Sequence, residues 1–310
     1  MTISDIQLNM DKKSSKTLKK IIIKICYPMI ILITKIMYKI DGVLLHNIIK
    51  TISFVPFVTR IKKRKIALNN LNIAFPHKKT KEHINIYRSS LTRIALNGLE
   101  FAFIASKQLN KNAVLDKCTV EGLEILDRAV KSGKGIILLS AHIGNFPLAY
   151  LWLAAKGYPV SIVFKEMKNY IDENFYYNLM QHYDIHPITY QKNTRVTKNI
   201  LSALGNGKIV ILTIDQKGNN NIPVKMFDRQ VRIFPGAAVL ARKTGLPIIP
   251  VFAHRQGIYH KIDILKPIEL KTTRYYKQDT IENTQSMIDT IESYIKEYPE
   301  EWLWSYYRWH

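Results

Sequence analysis

The sequence predicts an α/β fold, with a central mixed sheet flanked by helices and an N-terminal apolar helical membrane anchor. After residue 66, apolar runs of strand length alternate with longer segments of helical pattern, which is typical of α/β sandwiches. Glycines follow several of the helical segments, where helices commonly end. Before residue 67 the chain is first lysine-rich and then strongly apolar. We therefore expect a polar lead and membrane-associating helical segment over residues 1–66, and an α/β domain over residues 67–310.

The N-terminal part contains two apolar stretches. Lys24, Pro28 and Lys35 interrupt the first, residues 21–37, and make it marginal for the about 20 apolar residues that a membrane-spanning helix needs. The second, residues 48–58, is followed by a basic run. This pattern favours an interfacial anchor whose lysines reach anionic headgroups. A single membrane span and a buried core helix are the alternatives, whereas a signal peptide fits poorly because no small-residue cleavage site follows.

The elements of the α/β domain follow from pattern and length. Apolar runs predict the strands, at residues 135–140, 159–164, 208–214, 247–253 and 258–265. Segments of helical period predict the helices, at residues 121–131, 146–156, 172–183, 194–204, 236–243 and 279–297.

The net charge of +22 comes from 46 basic and 24 acidic residues. Such an excess indicates an anionic partner: nucleic acid, an anionic membrane surface, an acidic carrier protein or a phosphorylated substrate. A lysine-rich genome bias would also raise the charge without any partner. Because the basic residues are spread along the chain and match no known binding motif, we expect no nucleic-acid partner.

Several classes of chemistry have no motif in this chain. Cys26 and Cys118 are too few for a disulfide framework, and no Cys/His spacing is typical of zinc. No P-loop, dinucleotide fingerprint, HExxH or GxSxG motif is present. We therefore expect neither a metal site nor a cofactor, and we expect both cysteines to be reduced and structural.

The most informative segment is residues 135–147, in which a short apolar run ends at His142. A Gly-Asn turn follows, and then an apolar helix begins. A histidine at this corner is expected at the rim of a sheet, beside the free backbone N–H groups of a new helix, which suits a general base next to an anion site. We expect His142 to be the base, with oxyanion donors among the backbone N–H groups around Gly144 and Asn145.

These residues resemble a known family. His142-Ile-Gly-Asn-Phe is similar to the start of the His-x-x-x-x-Asp/Glu motif of the lipid A biosynthesis acyltransferases, the late lauroyl and myristoyl transferases within the glycerolipid acyltransferase superfamily. Four further blocks agree in order: residues 69–76, the pair Asp215-Gln216, residues 227–245 and residues 299–309. The last block has the pattern Pro-Glu-x-Trp-x-Trp-x-x-x-Arg-Trp and is the most specific. The resemblance covers about residues 20–310.

The resemblance implies a glycerolipid acyltransferase-like fold and a reaction. In that reaction a fatty acyl chain passes from acyl carrier protein, or from coenzyme A, to a hydroxyl of a Kdo-bearing lipid A precursor. It also implies the cytoplasmic face of the inner membrane of a Gram-negative bacterium. A basic surface would attract acidic carrier protein, lipid A phosphates and anionic lipid alike. Another lipid acceptor, such as an aminolipid, a glycolipid or a polyene, stays open as an alternative.

One position departs from the family pattern. Pro147 stands where the acid of the His-x-x-x-x-Asp/Glu motif is expected. Three interpretations follow. Asp215, expected at a neighbouring strand end, supplies the carboxylate; or His142 acts alone at a lower rate; or the protein binds lipid or carrier protein without catalysis.

Four basic residues are candidate contacts for substrate or phosphate. Lys165 follows a predicted strand, where the family often has an arginine. Arg229 and Arg232 lie in the predicted loop before Pro235, and Arg255 follows the predicted strand 247–253. For each of them, an ordinary solvated position is the alternative.

Overall fold

The computed structural model describes residues 32–106, 110–165, 177–190, 196–216 and 221–309. Its helices are α1 Gly42–Ile52, α2 Phe54–Thr59, α3 Ile61–Ala74, α4 Thr80–Ala105, α5 Lys111–Asp116, α6 Leu123–Lys131, α7 Phe146–Ala155, α8 Val196–Gly205, α9 Gly236–Thr244 and α10 Tyr276–Glu297. Its strands are β1 Cys118–Glu121, β2 Ile136–Ser140, β3 Val160–Lys165, β4 His186–Tyr190, β5 Ile209–Thr213, β6 Ile222–Met226, β7 Arg229–Ile233, β8 Ile248–Gln256 and β9 Tyr259–Ile264.

Seven of these strands form one sheet in the order β1-β9-β8-β2-β5-β3-β4. The pair β8 and β9 is antiparallel, and the other neighbouring pairs are parallel. A mixed central sheet flanked by helices is therefore confirmed. Strand β2 lies in the middle and is buried along its whole length, which explains its unbroken apolar sequence, since central parallel strands are covered on both faces.

The sheet separates two apolar clusters. Ile137 and Leu139 of β2 face a cluster with α3, α9 and α10. Ile136 and Leu138 face the other cluster, which contains α4 to α7, as the alternation of side chains along a strand requires. All residues from Leu148 to Ala154 of α7 are buried. This helix is apolar on every side because it is enclosed on every side.

The register of the sheet positions the site. Ser140, at the end of β2, pairs with Thr213, at the end of the parallel strand β5. His142 and Asp215 each follow two residues later, so both leave the sheet at the same edge. Ligand sites of open α/β sheets lie at this carboxyl edge of the strands.

The predicted strands all occur, with small differences at their ends. The predicted elements did not include the edge strands β1 and β4 or the hairpin of β6 and β7, where a loop was expected. They also did not include the 26-residue helix α4 and the short helix α5. The predicted helices at 121–131, 146–156, 236–243 and 279–297 are confirmed. Parts of the predicted helices 172–183 and 194–204 lie outside the described residues.

The described part of the N-terminal segment is helical and unusually apolar on its surface. Most of the exposed large hydrophobic side chains of the described residues lie between 32 and 61, among them Val43, Leu44 and Val55. Residues Gly42–Thr59 are long and apolar enough to cross a membrane, and 11% of this stretch is buried. The run 21–31 and Cys26 lie outside the described residues. Helix α3 continues through the predicted boundary at residue 66.

Candidate active site

The closest polar contact of the candidate base is a carboxylate from the next strand. Nδ1 of His142 lies 2.7 Å from Oδ1 of Asp215, and the backbone N–H of His142 donates to the same oxygen at 3.1 Å. An ionised carboxylate only accepts hydrogen bonds, so Nδ1 carries the proton and Nε2 is left as the basic nitrogen. The His142 side chain is 26% exposed, whereas that of Asp215 is fully buried. This is the contact that the first interpretation of Pro147 requires.

Two further donors hold the other oxygen of Asp215. The indole N–H of Trp302 and Nη2 of Arg308 each donate to Oδ2 at 3.1 Å, and Nε of Arg308 donates to the Asp215 carbonyl at 3.2 Å. Burial alone would raise the pKa of this carboxyl, but the hydrogen bond from His142 and the charges of His142 and Arg308 outweigh burial and hold the pKa well below its usual range. Asp215 is therefore a fixed anion beside His142.

The turn after His142 is packed too tightly for a side chain. Gly144 has a φ of 56°, and a Cβ there would lie 1.9 Å from the carbonyl oxygen of Ala253, so only glycine fits. The N–H of Gly144 donates to the Glu301 carbonyl at 2.9 Å. It is thus occupied and not available to an oxyanion. None of the hydrogen bonds among the described residues uses the backbone N–H of Asn145 or Phe146.

Asn145 caps helix α7. Its side-chain oxygen accepts from the N–H of Leu148 at 3.3 Å, and its amide nitrogen donates to Oε2 of Glu100 at 2.8 Å. Pro147, whose missing N–H costs nothing in the first turn of a helix, completes this start. The position of the expected acid is therefore part of the beginning of α7.

Glu100 of α4 is a second buried carboxylate behind the turn. The guanidinium of Arg255 binds it with two hydrogen bonds, of 2.9 and 2.7 Å, and Nε2 of His260 lies 2.8 Å away. Burial alone would raise the pKa of Glu100, but hydrogen bonds and charges from His260 and Arg255 lower it to about 2. This network fixes the amide of Asn145, at the other end of the turn from the His142–Asp215 contact.

The C-terminal segment closes the same turn. Glu301 accepts hydrogen bonds from Arg93 of α4 and, at 2.8 Å, from the backbone N–H of Arg255. Ile143 and Trp302 form an isolated antiparallel bridge. The turn at residues 142–145 is thereby held by the sheet, by α4 and by the C-terminal segment.

The four basic candidates have different surroundings. The fork of Arg255 is occupied by Glu100 and by Asn97, at 2.7 Å from Nη2, so it has a buried structural partner in place of the expected substrate phosphate. Arg229 and Arg232 lie at exposed positions of the hairpin strand β7, not in a loop. Arg232 donates to the Asn221 carbonyl at 2.9 Å. Lys165 ends β3, and its side chain lies outside the described residues.

Several residues of this site were not candidates in the sequence. Glu100 lies in α4, which was not among the predicted helices. Trp302 and Arg308 belong to the closing block 299–309; the Trp302 ring is fully buried, and the guanidinium of Arg308 lies 3.8 Å from the ring centroid. The described residues contain no group of three or more His, Cys, Asp or Glu side chains that could hold a metal ion.

Comparisons with known proteins point to one family. The model of the family described as bacterial lipid A biosynthesis acyltransferase matches residues 11–310. A lipid A biosynthesis acyltransferase of Haemophilus influenzae is 22% identical over 248 residues, covering 78% of this chain and 74% of that protein.

Two mycobacterial relatives carry another name. A phosphatidylinositol mannoside acyltransferase of Mycobacterium tuberculosis is 23% identical over 190 residues, which are 59% of this chain and 57% of that protein. Its counterpart in Mycolicibacterium smegmatis is 22% identical over 192 residues, with shares of 59% and 60%. The chain thus spans less than two thirds of the length of these two relatives.

The Glu100 network generates a stability prediction. Glu100→Gln leaves the buried charge of Arg255 without a carboxylate, so we expect the free energy of unfolding at pH 7 to fall by about 3–5 kcal/mol. Because the pKa of Glu100 is lowered from 4.5 to about 2, the carboxylate stabilises the fold fully above its unfolded pKa. That contribution is lost as the pH falls toward 2.

Urea unfolding of detergent-solubilised wild type and variant, followed by circular dichroism between pH 2 and pH 7, measures this difference. Glu124→Gln, which changes an exposed glutamate, is the matched control and should differ little from wild type. A Glu100→Gln variant as stable as wild type at pH 7 would contradict the assignment.

Proposed function

Because the chain belongs to the bacterial lipid A biosynthesis acyltransferase family, we propose that it transfers a fatty acyl chain from a thioester donor to a hydroxyl of lipid A or a related glycolipid. The observation that carries the proposal is the 2.7 Å contact between Nδ1 of His142 and Oδ1 of Asp215. It supplies, from a neighbouring strand, the carboxylate that Pro147 does not provide. A purely binding relative has no need of a buried anion that orients a partly exposed imidazole.

In this proposal His142 is the general base. With Nδ1 held by Asp215, Nε2 takes the proton of the acceptor hydroxyl, and the oxygen attacks the carbonyl carbon of the acyl thioester. The carbon–sulfur bond then breaks, and the thiolate leaves with the proton from the imidazolium. The products are an ester and a free thiol. Asp215 stabilises the charged imidazole and fixes its tautomer without itself becoming protonated, as the acid does in the serine-protease triad.

The oxyanion of the tetrahedral intermediate needs donors near the start of α7. Gly144 does not serve, because Glu301 accepts its N–H. We assign the role to the backbone N–H groups of Asn145 and Phe146. They lie at the N-terminus of a ten-residue helix, where the free N–H groups and the helix dipole favour a negative charge.

The finer assignment is acyl carrier protein as donor, with coenzyme A as the alternative, and a Kdo-lipid A precursor as acceptor. The net charge of +22 supports an acidic donor protein and an anionic acceptor. The name of the Haemophilus influenzae relative supports lipid A. The names of the mycobacterial relatives support a second candidate acceptor, a mannosylated phosphoinositide or a similar glycolipid.

We place the protein at the cytoplasmic face of the inner membrane. Three lysines and one arginine, Lys35, Lys39, Lys50 and Arg60, lie among the exposed apolar side chains of residues 32–61, which suits insertion into the headgroup region of an anionic bilayer. Ser53, between α1 and α2, keeps a helical backbone, so the interfacial placement rests on the basic residues that flank the apolar stretch and not on an interruption of the helix. Ser53 Oγ lies 2.8 Å from Oγ1 of Thr92 on α4, so the pair of α1 and α2 is attached to the helix that carries Glu100.

The catalytic pair generates the first prediction of function. In acyl transfer from radiolabelled acyl-acyl carrier protein to a Kdo-lipid A precursor, His142→Ala should lower the rate about 10²–10⁴-fold, since this is the usual contribution of a general base. Asp215→Asn should lower it by a comparable factor, because the neutral amide neither charges nor orients the imidazole.

His77→Ala, which removes an exposed histidine, is the control and should keep the wild-type rate. Near-ultraviolet circular dichroism should show that each variant is folded. Equal rates for Asp215→Asn and wild type would remove Asp215 from the mechanism. Absence of transfer by wild type, with both donor types and with both glycolipid acceptors, would contradict the proposed activity.

The lipids of a strain from which the gene is deleted identify the acceptor. We expect mass spectrometry to show lipid A that lacks one secondary acyl chain, and restoration of that chain by the wild-type gene but not by the His142→Ala form. Unchanged lipid A together with a change in another glycolipid would assign the second candidate acceptor.

Membrane attachment is tested on the exposed face of α1 and α2. Val43 and Val55 are 66% and 57% exposed, so Val43→Asp with Val55→Asp should leave the core intact. Each valine that enters the bilayer contributes about 1.5–3 kcal/mol, and we expect at least about tenfold weaker binding to anionic phospholipid vesicles in flotation. Tyr275→Asp, at a position 59% exposed before α10, is the control; an equal loss there would contradict the assignment.

A further inference from the structure

A groove lies beside the hairpin of β6 and β7, away from the residues of the catalytic pair. It is a cavity of about 400 Å³ between the end of α3, the hairpin turn and α10, a size in the range of small-molecule sites. Its polar and aromatic lining comes from Asn72, Phe227, Asp228, Arg229 and Lys296. Two cations, one carboxylate and one amide thus face a common space.

The turn that forms one wall has an unusual backbone. Phe227 and Asp228 have φ values of 51° and 57°, which a two-residue hairpin turn normally obtains with Asn-Gly. A bulky residue in this conformation costs about 1–3 kcal/mol and is kept only where its surroundings impose it. Glu292 accepts the N–H of Phe227 at 2.5 Å, and the Phe227 ring packs 5.9 Å from Phe75 and 6.2 Å from Trp302. Packing therefore holds the turn in a conformation that its own sequence disfavours.

The charges of the groove are incompletely matched. The guanidinium of Arg229 makes no hydrogen bond or ion pair with another described residue. Lys296 shares a bridge of 2.6 Å with Glu292 and is 55% exposed, and Asp228 is exposed at the turn. The unpaired charge of Arg229 attracts an anionic ligand. The nearby carboxylate of Asp228 repels an anion that has no hydrogen-bond donors of its own. A ligand that carries both a phosphate and hydroxyl groups satisfies both, because a carboxylate accepts hydrogen bonds from hydroxyls.

The groove and the catalytic pair have one neighbour in common. The ring of Phe227 packs against Trp302, whose indole N–H donates to Asp215 at 3.1 Å. Apart from this contact the two sites are built from different residues. A headgroup in the groove would therefore leave the catalytic pair unoccupied.

We propose that this groove binds a sugar phosphate, with Arg229 and Lys296 on the phosphate and with Asp228 and Asn72 on sugar hydroxyls. The inference rests on the proposed function in one respect: such a group belongs to the headgroup of the acceptor glycolipid. The groove then positions the acceptor, while His142 acts on its hydroxyl. This role is given to Arg229 and not to Arg232, because the guanidinium of Arg232 donates a hydrogen bond to the Asn221 carbonyl.

The test is equilibrium binding of small probes to the full chain in detergent. Glucose 1-phosphate, glucose and inorganic phosphate are titrated separately, and calorimetry and tryptophan fluorescence are recorded, since Trp302, Trp304 and Trp309 pack on Phe227. We expect glucose 1-phosphate to bind at least about tenfold more tightly than inorganic phosphate, because only the sugar phosphate also has hydroxyls for Asp228 and Asn72. Glucose alone should bind more weakly still, because charge-assisted hydrogen bonds to the phosphate supply most of the affinity.

The variants identify the groove. Arg229→Gln and Lys296→Gln should each weaken glucose 1-phosphate binding about tenfold or more. Lys225→Gln, on the same hairpin and outside the groove, is the matched control and should bind as wild type does. His142→Ala should also bind normally.

Three results would overturn the proposal: no binding of glucose 1-phosphate up to about 50 mM, the same loss in Lys225→Gln as in Arg229→Gln, or inorganic phosphate bound as tightly as the sugar phosphate. The last two would indicate general attraction of anions to a basic surface. If the protein transfers acyl chains but binds no sugar phosphate, the assignment of the groove is wrong and the proposed function is unaffected. If the protein binds the sugar phosphate but transfers no acyl chain, the proposed function is wrong and the binding site is unaffected.

Discussion

The structure depends most on the accommodation of one buried anion, the carboxylate of Asp215. A carboxylate out of water is tolerated only when donors and positive charge surround it. His142 binds one of its oxygens, and Trp302 and Arg308 bind the other. The register of β2 and β5 brings His142 to Asp215, and the C-terminal segment brings Trp302 and Arg308. The same contacts leave Nε2 as the basic nitrogen of His142.

A second buried anion binds the last residue of the same turn, residues 142–145. Glu100 draws Arg255, His260 and the amide of Asn145 together, and Asn145 in turn begins α7. The first and last residues of the turn are therefore each bound by a carboxylate, and the pKa values of both carboxyls are lowered by protein donors. A turn fixed at both ends suits an anion site at a helix N-terminus, since donors that are already in place need no reorganisation during the reaction.

Features formed by consecutive residues could be predicted from the sequence, whereas contacts between residues far apart in the chain could not. His142 was recognisable because the strand, the turn and the helix start are consecutive, and Asp215 because it follows a strand end. Trp302 and Arg308 contact Asp215 across 87 and 93 residues, so no spacing reveals them. Strand β1 has four residues, half of them exposed, and offers no apolar run. Pro147 taken alone indicates a lost acid, but in the structure it belongs to the first turn of α7, which Asn145 caps.

The central claim is that His142 and Asp215 act as one unit, and a double-mutant cycle on the acyl-transfer rate tests it most directly. Rates are measured for wild type, His142→Ala, Asp215→Asn and the double variant under one set of conditions. If the carboxylate works through the imidazole, the double variant should be no slower than His142→Ala, and the interaction should account for nearly the whole effect of Asp215→Asn. Multiplicative losses in the double variant would show that Asp215 acts elsewhere, and would contradict the account.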